Sequence, residues 1–409
     1  MERIAAAGAV GYAAKALLDR GRLGEALECA LIARDIAPDH ARCTATHAAV
    51  LDALGRPDEA DAAWERAASL KPDDCWHRFN RAASRLRRGL WREGWTDYES
   101  RLDEDTCHLL VEPSSFAALR HRRLVAGMGL QGRHVLVFGE QGYGDQVMFA
   151  RFIPTLARRG AEVTAAVHGA VAPLIRRVPG VRAVLSPPPE QPRARLDLRA
   201  AAPDLIEPIG SLPLKLELFA TADLSAGCPH LRADSAAVAH WRDWLVARGR
   251  AAAPRVGLVH QAERRHAGGD LRSIPLDALD VLKPLAGIDW VNLQHGAPGR
   301  SLQQAWPDLI DATAEDRPMD AYADLMAACD AVVSVDTLAA HIAGGLGLPL
   351  FVLLPLEADW KWRPAGDGSD WYPTARLLRQ PRRGDWKAPL EALAARLGGR
   401  QIHRWEAEC

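Results

Sequence analysis

Apolar and polar residues follow two different patterns along the chain, and the change falls near residue 113. Before it, small apolar residues recur at helical spacing, as in GYAAKALLD and EALECALIA. After it, short apolar runs such as HVLVF (134–138) and PLFVLLP (349–355) alternate with amphipathic stretches. Such alternation is typical of parallel strands joined by helices. The pattern predicts an α + α/β protein: a helical domain over 1–112, followed by α/β structure.

The helical part repeats itself every 34 residues. When 7–40 is set above 41–74, Gly21 lies over Gly55 and Pro38 over Pro72, and a third copy begins at Cys75. We expect each copy to form a helix, a glycine turn and a second helix, because glycine accepts the left-handed conformation that ends a helix. This period and these positions resemble tetratricopeptide repeats.

Two roles are open for the repeats. They could only scaffold or dimerise the protein, or their concave face could hold a polypeptide partner, which is the role that we favour. The third copy ends in RRGLWREGWTDYESRL, where Trp91, Trp95 and Tyr98 fall on about one helical face. Aromatic residues at this spacing more often form a packing seam than a ligand site, so we expect them to pack the repeats against the next domain.

The α/β part divides into two halves. HVLVF, AEVTAAV and VRAVLS, with helices between them, predict a βαβαβ half over 113–235. RVGLVHQ, DWVNLQ, DAVVSVD and PLFVLLP predict a second half over 236–409, which ends in a helix from about residue 385. Two such halves predict a GT-B type architecture, in which ligands bind at the carboxyl ends of the strands.

Composition narrows the class of protein further. The chain is 48% hydrophobic and 25% charged with a formal net charge of -1, so we expect no nucleic-acid partner. Seven scattered cysteines without a CxxC pair indicate neither a disulfide framework nor a zinc ribbon and fit a cytoplasmic protein. No apolar run is long enough for a membrane span, and the N-terminal segment lacks the apolar stretch of a signal peptide.

A first candidate site is SVDTLAAHIAGGLGLP, 334–349, where a strand ends and a helix begins. The free N–H groups and the positive dipole at such a helix start can bind a diphosphate. Asp336 and Thr337 could also cap that helix, and His341 shares a face with Thr337. The alternative is a well-capped core helix with His341 as a buried, hydrogen-bonded histidine.

A second candidate site is GEQGYGD, 139–145, between a strand and a helix. Its glycine spacing is not GxGxxG, so a dinucleotide site and an oxidoreductase function are poorly supported. Asp145 lies at the helix start, where it could cap the helix or act as a general base. Glu140, Gln141 and Tyr143 are candidates to line the acceptor side.

The third candidate is the loop HQAERRHAGGDLRSIP, 260–275. Its Arg264 and Arg265 are expected to be solvated, whereas Arg272 and Ser273 precede an apolar stretch and are the better phosphate ligands. A DxD triplet at 103–105 follows the repeats and is expected to be exposed charge. We expect no metal and no cofactor.

Together these segments resemble bacterial repeat-containing glycosyltransferases. They are similar to the family 9 heptosyltransferases and, more distantly, to the O-linked N-acetylglucosamine transferases. The resemblance covers nearly the whole chain and rests on the repeats and on five further motifs: GEQGYGDQVMFARFIP, LRSIP, SVDTLAAHIAGGLGLP, DWKWRP and WYPTARLLRQPRRGDW.

The resemblance implies an inverting, metal-independent hexosyl- or heptosyltransferase that uses a nucleotide-sugar donor. Asp145 matches the presumed catalytic base of the heptosyltransferases, on the acceptor side. Arg272, with the neighbouring Ser273, matches a position near the phosphates, and Gln294 one near the nucleotide. The remaining matches lie in the element that holds the donor diphosphate: Asp336, Thr337, Leu338, His341 and Gly344.

Several alternatives stay open at this point. The repeats favour a protein acceptor, but a lipopolysaccharide or a small molecule is the alternative. Relatives usually carry Trp-Ser/Ala-Gly-Asn where this chain has His260, Gln261, Ala262 and Glu263. They usually carry an aliphatic residue in place of Tyr143. These differences support a second hypothesis, a non-catalytic repeat adaptor with a degenerate GT-B domain.

Overall fold

The computed structural model describes residues 2–103, 110–250, 252–263, 269–313 and 317–398. The chain forms two compact units. The first contains Met1–His108 together with two later segments, Glu217–Thr221 and Asp359–Pro364. The second contains the rest of the chain. The predicted domain boundaries at 112 and 235 stay a prediction.

The first unit is built from helical hairpins. Helix α1 packs against α2, α3 against α4, and α5 against α6. The turns within the hairpins hold Gly21, Gly55 and Gly89 at φ of 71°, 69° and 76°, as the repeat pattern predicts. The six helices are α1 Glu2–Asp19, α2 Leu23–Ile36, α3 Ala41–Ala53, α4 Pro57–Leu70, α5 Cys75–Arg87 and α6 Trp91–Tyr98.

Alanine allows these helices to lie close together. Ala14, Ala26 and Ala30 are buried together between α1 and α2, and Ala60 and Ala67 pack with Trp64 in the second hairpin. A methyl side chain fills this space without the rotamer entropy that a larger residue would lose. The helix–turn–helix pattern is thus confirmed for all three copies. Their assignment to the tetratricopeptide repeats stays a prediction.

The predicted aromatic face of α6 is buried within the first unit. Trp95 and Tyr98 each pack edge-on against Trp360, with ring centroids 5.7 Å apart. Trp91 donates its indole N–H to Thr221 Oγ1 at 3.1 Å. The late segments Glu217–Thr221 and Asp359–Pro364 therefore join this unit through the aromatic face, which is a packing surface as expected.

The first sheet of the second unit has four parallel strands in the order β3–β2–β1–β4. The βαβαβ prediction is confirmed for its first three strands, and β4, which pairs with β1, was not predicted. The strands are β1 His134–Phe138, β2 Glu162–Ala166, β3 Val181–Leu185 and β4 Leu205–Pro208. Helices in this region are α7 Pro113–Leu119, α8 Tyr143–Phe149, α9 Ile153–Arg158, α10 Ala172–Ile175, α11 Leu212–Lys215 and α12 Thr221–Ser225.

One predicted helix of the first half is divided. The stretch from Gln146 to Arg159 was expected to be continuous, but a 3-10 turn at Ala150–Phe152 separates α8 from α9. Pro154 lies in the first turn of α9, where its missing N–H and fixed φ are tolerated. The proline thus sets the start of a new helix.

The second sheet has six parallel strands in the order β10–β9–β8–β5–β6–β7. Its strands are β5 Arg255–Val259, β6 Asp289–Asn292, β7 Ile310–Asp311, β8 Ala331–Val335, β9 Leu350–Leu354 and β10 Ala375–Arg379. Helices in this region are α13 Ser235–Val246, α14 Gly269–Arg272, α15 Gly296–Ala305, α16 Met319–Ala327, α17 Leu338–Leu346 and α18 Lys387–Gly398.

The order in which strands are added to this second sheet reverses at its centre. The chain starts at β5, builds outward through β6 and β7, and then returns to the other side of β5 with β8. Ligand sites of parallel sheets lie outside the carboxyl ends of the strands at such a reversal. The segments after β5 and β8 are therefore the places where a site is expected.

The observed class is helical plus parallel α/β, as predicted, and its two parallel sheets are consistent with a GT-B-like fold. The final helix α18 packs on β9 and β10 through Leu390, Leu393 and Leu397. Within the described ranges, no helix has both the length and the apolar character needed to cross a membrane.

Candidate functional site

The two glycine-containing turns singled out in the sequence lie next to each other. Helix α8, which follows β1, packs against α17, which follows β8. At the contact, a Cβ added to Gly144 would lie 2.8 Å from Cδ2 of His341. Only a glycine lets the backbone of α8 come this close to the imidazole. The structure thus joins the turn of Asp145 to the helix of His341.

The turn before α8 contains one residue in the left-handed conformation. Gln141 adopts a left-handed φ of 57°, and α8 begins directly after Gly142. The carboxylate of Asp145 accepts a hydrogen bond from the backbone N–H of Gly142 at 3.1 Å. Asp145 is therefore not the N-cap residue, which is Gly142, but the third residue of α8, and its carboxylate closes the helix start by bonding back to the N-cap N–H. Capping uses one carboxylate oxygen and fixes the side chain at the helix start.

Glu140 lies deeper than Tyr143, although both were predicted to line the acceptor side. Glu140 is buried, and its carboxylate accepts a hydrogen bond from the N–H of Gly210 at 2.9 Å. Tyr143 is 44% exposed, and its ring packs edge-on against His168 at 5.2 Å between centroids. Of these two residues, Tyr143 offers the accessible surface.

His168 was not identified in the sequence, and Gln146 holds it in place. The Gln146 side-chain amide donates to His168 Nδ1 at 2.5 Å and accepts from the His168 backbone N–H at 3.1 Å. Burial lowers the pKa of His168, so the ring is neutral near pH 7. Tyr143 and His168 together form an uncharged aromatic surface beside Asp145.

The start of α17 has the features of an anion site. Thr337 is the N-cap residue, but its side chain accepts no hydrogen bond from the first helical turn. The Thr337 hydroxyl instead lies 3.3 Å from Ser334 Oγ. The N–H groups at the beginning of the helix are thus not capped by Thr337, and they carry the positive end of the helix dipole.

Arg272 is positioned beside this helix start. Its Nη1 donates to the backbone carbonyl oxygen of Asp336 at 3.2 Å and lies 3.4 Å from the Asp336 carboxylate. Asp336 is buried, whereas the Arg272 side chain is 25% exposed. A guanidinium that is held by one face and open on another can still bind an anion.

Ser273 and Gln294 organise the loops after β5 and β6. Ser273 Oγ accepts from the N–H of Ala262 at 3.1 Å and donates to the carbonyl of Gly269 at 2.7 Å. Gln294 Oε1 accepts from the N–H groups of His260 at 3.1 Å and Gln261 at 2.9 Å. These contacts fix the loop backbone at the point where the strand order of the second sheet reverses. The donor contacts expected of both residues stay predictions.

The small residues of α17 accommodate rings from elsewhere in the chain. A Cβ on Gly344 would overlap the ring of Tyr372, and one on Gly345 would lie 2.8 Å from Leu231. Tyr372 in turn places its hydroxyl 2.8 Å from Nδ1 of His341. Gly344 thus makes room for Tyr372, and its predicted contact with a donor stays a prediction. Leu338, at the start of α17, is half-buried.

Arg151 is a buried cation that the sequence analysis did not identify. It is 1% exposed, and it donates to the carbonyl oxygens of Met148 at 2.8 Å, Leu224 at 2.9 Å and Trp371. Its charge adds to the effect of burial, which lowers the pKa of His230 to about 3. Arg151 links the segment after α8 to the segment before β10.

Neither Tyr372 nor Arg151 lies in a residue spacing typical of a site, and Arg151 and Trp371 are separated by 220 positions. Both residues do fall in motifs that carried part of the resemblance, Arg151 in GEQGYGDQVMFARFIP and Tyr372 in WYPTARLLRQPRRGDW. Those motifs were the available indication of their importance.

Some candidate residues are not brought to this site. Asp103 of the DxD triplet lies in the first unit, where it pairs with Arg78 at 2.7 Å, and positions 104–105 are outside the described residues. Arg264, Arg265 and His266 also lie outside them. Across the ranges that the structure describes, no group of three or more His, Cys, Asp or Glu residues is arranged to hold a metal ion.

His260, one of the residues noted as a difference in the sequence, is buried at the end of β5. It is 1% exposed, and burial lowers its pKa to about 4. The ring is therefore neutral near pH 7 and adds no positive charge there.

Comparison with known proteins gives the following likenesses. No family model matches the chain. Protein FlbA of Caulobacter vibrioides is 28% identical over 391 residues, which cover 88% of this chain. The match spans 62% of the length of FlbA.

Solved structures with a similar fold are glycosyltransferases. The family 9 glycosyl transferase of Veillonella parvula has a TM-score of 0.49 at 11% identity, over 69% of this chain and 99% of that one. The Escherichia coli ADP-heptose lipopolysaccharide heptosyltransferase II has a TM-score of 0.47 at 18% identity, over 64% and 98%. A Thermobaculum terrenum O-GlcNAc transferase mutant has a TM-score of 0.31 at 15% identity, over 99% and 94%. The chain is thus similar to these proteins at low sequence identity.

Proposed function

We propose that the protein is an inverting glycosyltransferase that moves a sugar from a nucleotide-sugar donor to an acceptor hydroxyl. The observation that carries the proposal is the contact of Gly144 with His341. This contact places the helix of a candidate base, Asp145, against the helix whose start is the candidate diphosphate site. A transferase needs both functions within reach of one sugar carbon.

The donor's leaving group is assigned to the start of α17. Negative charge builds on the diphosphate as the bond from the sugar to its oxygen breaks. The N–H groups at the start of α17, which the Thr337 side chain does not cap, the helix dipole and the guanidinium of Arg272 can stabilise that charge. Buried Asp336 keeps Arg272 in place.

The acceptor is assigned to the side of α8. Asp145 would take the proton from the acceptor hydroxyl while the acceptor oxygen attacks the sugar carbon. Attack from the face opposite the leaving diphosphate inverts the configuration at that carbon. The uncharged surface of Tyr143 and His168 adjoins the base and would contact the group that carries the hydroxyl.

A protein is the acceptor that we favour. The first unit exposes large apolar side chains, including Tyr12 at 66% and Trp76 at 55%. These residues belong to α1 and α5, which are equivalent first helices of their repeats. Exposed aromatic residues on stacked helices are suited to binding a polypeptide.

A nucleotide-sugar panel tests this proposal. UDP-, GDP-, ADP-, dTDP- and CMP-sugars are added to the full chain, and the thermal midpoint is measured. A donor that binds the folded protein raises the midpoint by mass action, so we expect one nucleotide class to do so. Arg272→Ala should reduce that shift, whereas Arg199→Ala, which alters an exposed pair with Asp197, should retain it. If no donor class shifts the midpoint, the adaptor hypothesis is favoured instead.

A further inference from the structure

The imidazole of His341 is held on one side by a tyrosine. Tyr372 OH lies 2.8 Å from His341 Nδ1, and the two residues are 0% and 3% exposed. The ring of Tyr372 lies over Gly344, where any side chain would overlap it. The pair is therefore fixed by packing as well as by its hydrogen bond.

The other ring nitrogen of His341 lies on the edge of the ring that adjoins Gly144. A Cβ added to Gly144 would lie 3.5 Å from His341 Nε2 and 2.8 Å from Cδ2. The Nε2 edge of the ring therefore adjoins the start of α8, one residue before Asp145. The state of Nε2, as donor or acceptor, bears directly on the proposed chemistry.

Arg151 favours one direction of the hydrogen bond between Tyr372 and His341. Its guanidinium lies 4.5 Å from the centroid of the Tyr372 ring and 5.1 Å from that of Trp371. Among the described residues, Arg151 forms no ion pair and donates only to backbone carbonyls. A buried cation against the face of a phenol ring stabilises negative charge on that phenol, so it makes the hydroxyl a better donor and a poorer acceptor.

We propose that Tyr372 is a positioning residue that donates its hydroxyl to His341 Nδ1 and so keeps the proton of the neutral imidazole on Nε2. This inference rests on the proposed function. The Nε2–H group then donates a hydrogen bond to an oxygen of the donor's phosphate, between the start of α17 and the start of α8. Tyr372 acts through His341 and does not itself contact the donor.

The opposite direction would have the opposite effect. If Nδ1–H donated to the phenol oxygen, Nε2 would carry a lone pair, which repels phosphate oxygens and competes with Asp145 for protons. The direction of a single hydrogen bond thus decides whether His341 supports the leaving group or opposes it. Stabilisation of charge that develops during reaction acts mainly on kcat rather than on KM.

Nitrogen NMR of the histidine side chains tests the inference without a donor. The full chain is labelled with ¹⁵N-histidine, and the His341 signals are identified by their loss in His341→Gln. We expect wild-type His341 to carry its proton on Nε2 and Tyr372→Phe to lose that preference. The control Tyr322→Phe removes another buried hydroxyl, which donates to the carbonyl of Leu293, and should leave His341 unchanged.

Two NMR results would overturn the inference. One is a wild-type proton on Nδ1, alone or together with Nε2. The other is an unchanged His341 spectrum in Tyr372→Phe, a variant that keeps the ring above Gly344 and whose folding is checked by its thermal midpoint.

With a donor that the panel identifies, Tyr372→Phe should lower kcat roughly tenfold with little change in KM. An unchanged kcat would also count against the inference. A changed tautomer without binding of any donor would uphold the link between Tyr372 and His341 and contradict the proposed function alone.

Discussion

A single missing side chain at Gly144 controls how closely α8 approaches His341. His341 cannot move aside freely, because Tyr372 holds its other edge. The space at Gly144 is therefore set by two rigid neighbours, the backbone of α8 and a hydrogen-bonded ring. Rigid surroundings make an added methyl group costly.

We expect Gly144→Ala to destabilise the second unit. The added Cβ would lie 2.8 Å from His341 Cδ2, and the shift needed to relieve this overlap costs about 1–3 kcal/mol. Urea unfolding measures the change in the free energy of unfolding.

Gly8→Ala is the matched control for Gly144→Ala. Gly8 lies inside α1, and no heavy atom is within 4 Å of its added Cβ. Alanine has the better helix propensity, so the control should be neutral or stabilising by up to about 1 kcal/mol. Equal effects of the two substitutions would contradict the account of Gly144.

At the scale of secondary-structure elements, α10 and α16 are joined by an ion pair between the regions of the two sheets. Arg177, two residues after α10, contacts Asp324 at 2.6 Å and Asp320 at 2.9 Å, both on α16. The Asp324 side chain is 3% exposed and also accepts from the N–H of Asp234 at 2.8 Å. This link supports the same approach of the two sheet regions as the contact of α8 with α17.

Arg177→Ala should reduce stability by about 2–3 kcal/mol, because it leaves the buried carboxylate of Asp324 without its cation. The control Arg199→Ala removes an exposed pair with Asp197, in which the side chains are 55% and 41% exposed. Exposed pairs contribute little, so the control should show no measurable change. Chemical denaturation of both variants measures the change in the free energy of unfolding. If Arg177→Ala loses no more stability than the control, the ion pair of Arg177 with α16 is not stabilising.

The elements differ in how well the sequence predicts them. The strand over 134–138 was predicted with its observed bounds, because a short β-branched run beside a glycine turn is distinctive. Strands β4, β7 and β10 were missed. β7 has two residues, β4 ends in a proline, and all three lie at sheet edges, where the apolar pattern is weak.

At the scale of the whole molecule, the candidate site is assembled from separate segments of the second unit. Three of them, 139–145, the described parts of the loop after β5 (260–263 and 269–273) and 334–344, come from stretches with glycine, acid or arginine patterns at strand ends, which the sequence analysis singled out. The fourth, with Trp371 and Tyr372, meets segment 334–344 through His341 and the segment after α8 through Arg151. Such contacts depend on tertiary packing between distant parts of the chain, which single-sequence patterns do not encode.

The two roles that the sequence left open for Asp145, a helix cap and a general base, can be separated by one substitution. Its carboxylate caps α8, and asparagine at this position keeps an oxygen that can accept from the Gly142 N–H. Asp145→Asn should therefore fold and bind a donor as the wild type does. Asparagine cannot take up a proton as a base, so transfer should fail.

The most direct test of the central claim is the rate of sugar transfer by Asp145→Asn, measured with the donor that the panel identifies. Asp234→Asn is the matched control, since Asp234 also caps a helix, accepting from the N–H of Ala237 at 2.9 Å. We expect transfer by Asp145→Asn to fall about 100-fold or more, with an unchanged donor-induced rise in thermal midpoint and near wild-type transfer by Asp234→Asn. Transfer at the wild-type rate in Asp145→Asn would contradict the assignment of Asp145 as the base.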